Sequence, residues 1–87
     1  MSRTFETIDP ADLVVGDVVK GNCALWKVVG FRPLVHPHRV GDGRLIDEMV
    51  ECECIDPMGM TPFEVGFRKE FVRQPIGGTW EREIRNG

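Results

Sequence analysis

"VVGDVVKGNCALWKVVGF", residues 14–31, decides the fold, because it carries a bend, a strand, a tight turn and a return strand in succession. Gly16-Asp17 bends the chain into Val18, Val19 and Lys20. Gly21-Asn22 is a two-residue hairpin signal, since such loops need a positive φ that glycine adopts without strain. The return from Ala24 to Phe31 is rich in β-branched and aromatic residues, which suit a pleated, half-buried strand. Turning the chain at Gly21-Asn22 sorts its side chains by parity. Val19, Ala24, Trp26 and Val28 share an uncharged face, the expected core. Val18, Lys20, Cys23, Leu25, Lys27, Val29 and Phe31 share the other. Val18, Leu25, Val29 and Phe31 make that second face more apolar than an open sheet normally tolerates. Either the sheet closes on itself or a partner covers this side.

Outward from this hairpin, Asp9 is expected to cap a single helical turn, with Pro10 at its first position where a missing N–H costs nothing. "RPLVHPHRVGDGR", residues 32–44, holds two prolines and two glycines without sustained periodicity and reads as a long loop after the second strand. "LIDEMVECECI", residues 45–55, then alternates: Val50, Cys52 and Cys54 face one way, Glu51 and Glu53 the other. "DPMG", residues 56–59, suits a type I turn. "FEVGF" puts Phe63, Val65 and Phe67 on one face, beside the cysteines, and "FVRQ" makes a final short strand. "PIGGTWEREIRNG" opens with breakers, after which Thr79 could cap a short helix carrying Trp80 and Ile84 on one side. The pattern predicts an all-β fold. It is a small SH3-like barrel or strongly bent antiparallel sheet of about five short strands, over residues 1–75, with a tail over 76–87.

The stretches "LVVGDVV" (13–19), "WKVVGF" (26–31) and "VECECIDPMGMTPFEVGFRKEFV" (50–72) together resemble small SH3-like barrels whose first strand opens with Gly-Asp-Val-Val. Tudor-like and KOW-like modules have this pattern, as do short proteins of bacteria and their phages. The resemblance covers roughly residues 11–73. It implies a barrel fold and a binding role, consistent with a phage-type accessory protein, and it implies no catalytic residue. Residues 32–44 are longer than the pattern needs, and the tail lies outside it.

At 87 residues the chain makes one domain, and 41% hydrophobic with 29% charged residues is the balance of a globule, not of disorder. No apolar run approaches the roughly 20 residues that span a bilayer, and "MSRTFETIDP" holds no signal-like segment. A cytoplasmic protein with reduced thiols is expected, with no membrane association. Three cysteines, an odd number, also argue against a disulfide framework. A net charge of −3 disfavours blanket nucleic-acid binding. The charge is nevertheless polarised. Arg32, Arg39 and Arg44 against Asp42 leave residues 32–44 at 3 − 1 = +2, whereas Asp47, Glu48, Glu51, Glu53 and Asp56 are all acidic.

Cys52 and Cys54, with Cys23, His36 and His38, are five conceivable zinc ligands. Structural zinc sites usually draw on tight two-cysteine knuckles, and none is present. The strand parity makes the cysteines small core residues, so no metal and no cofactor is expected. No P-loop, dinucleotide fingerprint or zinc-protease motif occurs, and no nucleophile has a base and orienting group in pattern, so the chain is read as a non-enzyme. The expected function is protein interaction. Arg32, Leu34, Val35, His36, His38, Arg39 and Arg44 form the candidate partner-binding segment, with arginines for carboxylates and aliphatic side chains as anchors. Val18, Leu25, Val29 and Phe31 form the candidate self-association face of a homodimer, because a two-fold axis lets one patch cover itself. The alternative is nucleic-acid binding through residues 32–44 together with Arg68, Lys69 and Arg73, although aromatics for base stacking are few.

Overall fold

The computed structural model describes residues 3–21, 24–58 and 66–84. Among the described residues six strands, β1 (Phe5–Ile8), β2 (Val18–Gly21), β3 (Ala24–Arg39), β4 (Leu45–Asp56), β5 (Arg68–Val72) and β6 (Trp80–Glu83), form one antiparallel sheet in the order β1-β6-β2-β3-β4-β5. The fold is all-β. Among the described residues the sheet is open and has six strands, where an SH3-like barrel or strongly bent sheet of about five was expected. A 3-10 turn at Pro10–Asp12 is the only helical segment among the described residues, and Asp9 caps it by accepting from the Ala11 N–H at 2.9 Å, as its sequence predicts.

The sheet is strongly bent. A straight strand as long as β3 would span roughly 50 Å at about 3.3 Å per residue, yet the longest dimension of the molecule is 40 Å. Bulges do the bending. Val28 pairs with Cys52 but Gly30 with Glu51, so Val29 is an extra residue on β3. A second, larger irregularity lies between Pro33, opposite Glu48, and His38, opposite Ile46. The curvature brings strands at the two ends together over a shared core. Phe71 of β5 meets Trp26 of β3 and Trp80 of β6 edge-to-face, with ring centroids 5.4 and 6.1 Å away.

The uncharged face of the first hairpin is the core: Val19, Ala24, Trp26 and Val28 are at most 1% exposed, with Val50, Cys52, Leu13 and Ile8 around them. Cys54 packs partly against the same cluster, on the expected face. Both indoles are satisfied: Trp26 donates to the Gly21 carbonyl at 2.6 Å and Trp80 to the Arg73 carbonyl at 2.9 Å. Gly21 pairs with Ala24, so the hairpin connection is residues 22–23, one position beyond the expected turn. That connection lies outside the described residues. Face parity is unchanged, because the register moves by two.

Four expectations change. Residues 32–39 are not loop but strand, paired with β4 on both sides of the prolines, and only residues 40–44 turn. The tail is not a helix appended to the domain. Trp80–Glu83 is a strand between β1 and β2, so the last segment belongs to the sheet. Phe31 lies on the core side, because the extra residue at Val29 reverses the parity that precedes it. The Phe67 side chain is 69% exposed, not packed beside the cysteines, although its carbonyl accepts from the Cys54 N–H at 2.8 Å. Phe63 and Val65 lie outside the described residues.

Candidate interaction surface

Beyond Pro33 and Glu48 the paired strands β3 and β4 run on as a two-stranded arm ending in the turn at residues 40–44. Pro37 lacks a backbone N–H and is tolerated where the ladder is interrupted. There β3 advances from Pro33 to His38 while β4 moves only from Glu48 to Ile46, so the surplus residues are pushed out of the ladder. Val35 is consequently 84% exposed, and His36, Pro37, His38 and Arg39 are exposed with it. Leu34 is half-buried. The tip is fixed by its own polar contacts: Asp42 accepts from the Arg44 N–H at 3.1 Å and from its Nε at 2.6 Å, and Arg39 donates to the Gly43 carbonyl at 2.9 Å.

The seven residues of the candidate segment therefore divide. Arg32 sits on the sheet proper, where its guanidinium holds Glu70 of β5 through Nε at 3.1 Å and Nη2. Arg44 is turned back on the Gln74 carbonyl and Asp42. Val35, His36, His38 and Arg39 remain together at the surface of the arm. His38 Nδ1 lies 3.4 Å from the His36 carbonyl, and the described residues bring no group of three metal-ligating side chains together.

The expected self-association face is partly covered. Leu25 is only 2% exposed, and Phe31 packs against the core with the Arg73 guanidinium 4.4 Å from its ring. Val18, Val29 and Phe31 are half-buried. The basic trio also comes apart. Arg73 is a structural clamp, donating to the carbonyls of Pro10, Ala11 and Leu13 and to Glu48. Arg68 lies 4.0 Å from Glu53, and Lys69 has no ion pair among the described residues.

Burial pushes the Cys52 thiol up to about 12, as expected of a small core residue. Sequence reasoning missed a shallow, mainly apolar groove of about 460 Å³ over Phe71, Pro75, Ile76 and Trp80, flanked by Lys20 and Arg44. Its walls come from strands far apart in sequence, and only the exposed Ile76 could have hinted at it. Among the described residues no helix is long and apolar enough to cross a membrane. Compared with known proteins, the chain matches no family model, no curated protein and no solved structure.

Proposed function

We propose that this protein is a non-enzymatic interaction module that binds a protein partner through the arm. The observation that carries this reading is the exposure of Val35, 84%, beside His36, His38 and Arg39 on an ordered two-stranded element. An exposed aliphatic side chain with polar and cationic sequence neighbours fits the composition of a small protein-binding patch. A protein of the phage accessory type, acting on a host protein in a reducing cytoplasm where Cys52 and Cys54 remain thiols, fits this economy. A homodimer through Val18, Leu25, Val29 and Phe31 draws less support, because Leu25 is buried and Phe31 packs partly against the core.

The nucleic-acid reading draws less support. Arg32, Arg44 and Arg73 are engaged within the molecule, which leaves fewer free cations for a phosphate backbone among the described residues. The test is capture of the partner from the native cell, its identification, and comparison of wild type with a Val35→Asp, Arg39→Glu variant. Capture should fall at least about tenfold, the loss of one interface anchor. Undiminished capture by the variant, or release of the partner by nuclease, would contradict the proposal.

A further inference from the structure

We infer that the edge of β5 left unpaired among the described residues is a strand-addition site for an extended, acidic peptide segment of another protein. Backbone geometry makes the case. In an antiparallel pair, successive residues point their N–H and C=O alternately toward the partner strand and away from it. The bonds from the Cys54 N–H to the Phe67 carbonyl, 2.8 Å, and from the Arg73 N–H to the Glu48 carbonyl, 2.9 Å, set this alternation in the β4–β5 pair. Phe67, Lys69, Phe71 and Arg73 face β4. Arg68, Glu70 and Val72 therefore turn their backbone groups outward, and among the described residues no strand pairs with that side. The open stretch has a defined end. The Arg73 and Gln74 carbonyls are taken by the indole of Trp80 and the guanidinium of Arg44.

Side-chain charge selects the occupant. The Arg68 side chain is 78% exposed with only a 4.0 Å contact to Glu53, and Lys69 is exposed on the opposite face of the strand. The one acid of the edge, Glu70, is already held by Arg32. An added strand thus meets the loosely paired Arg68 on one face and Lys69, without an ion pair among the described residues, on the other, which favours carboxylates at neighbouring positions. A groove of about 430 Å³, lined by Val29, Glu51, Cys52, Arg68, Lys69 and Glu70, runs beside the strand and gives its side chains room. The opposite edge, β1, is a poorer template. The bond from the Ile84 N–H to the Thr4 carbonyl turns only Phe5 and Thr7 outward, and Lys20 lies over the Phe5 ring.

This inference is independent of the arm, which lies beyond the end of β5, so each can fail alone. The experiment follows amide exchange by NMR in the full chain, with a capped peptide of alternating glutamate and valine as probe. In the free protein, the amides of Lys69 and Phe71 should exchange slowly and those of Arg68, Glu70 and Val72 quickly. With the peptide, these last three should slow by at least about tenfold, the response of amides newly paired in a ladder. A lysine-valine peptide should have no such effect. Glu70→Pro removes an outward N–H without touching the β4 ladder and should abolish the protection. Should that variant fail to fold, Arg68→Glu with Lys69→Glu should exchange the preference to the lysine peptide. Unchanged exchange at Arg68, Glu70 and Val72 in the wild type overturns the inference. Equal protection by both peptides overturns its charge selection. Protection on raising protein concentration alone would assign the edge to a second copy and overturn the foreign segment.

Discussion

Arg73 joins four parts of the molecule through one planar group. Its Nε and Nη2 donate to the Pro10 and Leu13 carbonyls at 2.9 Å, its Nη1 to Glu48, and its face covers the Phe31 ring. Lysine presents a point charge and cannot reproduce this fork. Arg73→Lys should therefore lower unfolding stability by about 1–3 kcal/mol, since the charge is kept but two or more hydrogen bonds to carbonyls are lost. Urea denaturation should show a lower midpoint with unchanged slope. Cys52 gives a second residue-level prediction. Its thiol titrates near 12 when folded, above the ordinary value of 9.0, because burial disfavours the thiolate. A raised pKa contributes stability that is complete below pH 9 and is lost between pH 9 and 12, since only the unfolded chain then releases the proton. Wild type should lose stability across that window by up to about 1.4 kcal/mol per pH unit more than Cys52→Val. Parallel curves for the two proteins would contradict the assignment.

The arm shows how much of an element can be read from residues and how much cannot. Val35→Asp should leave stability within about 0.5 kcal/mol of wild type, since the side chain touches solvent on nearly all sides. A larger loss in thermal unfolding would mean that Val35 packs inside the molecule. At the tip, the Arg44 N–H and then its guanidinium hold the Asp42 carboxyl below the ordinary carboxylate range. A depressed pKa orders the turn above the ordinary carboxylate pKa and releases it as pH falls through the depressed value. The Arg44 amide shift should titrate with that lowered midpoint. Core parity on β2 and the start of β3 was legible, because alternation is local. The prolines at 33 and 37 were legible as an interruption, but not as a bulge inside a strand, since only pairing with residues 46–48 supplies the ladder that continues past them. Trp80 and Ile84 have helical spacing, and the partner that makes this segment a strand is Phe5–Ile8, at the other end of the chain. One inserted residue, Val29, was enough to move Phe31 from the outer to the inner face.

At the scale of the whole molecule, a small open sheet has covered its core by bending and has bound most of its arginines into its own closure. Arg82 repeats on the β1 side what Arg73 does on the β5 side, reaching Glu6 at 3.0 Å and the buried Asp17 at 3.4 Å. The residues that sequence patterning marked as a basic surface are thereby largely spent, while an aliphatic anchor is left exposed on the arm. We propose that this arm meets a protein partner. The most direct measurement is photo-crosslinking in the native cell, with a photoreactive residue placed singly at Val35, at His38 and, as a control on the exposed side of β1, at Thr7. Discrete adducts with the same protein from positions 35 and 38, and none from 7, are the predicted result. Adducts from Thr7 alone, or none from either arm position, would contradict the account.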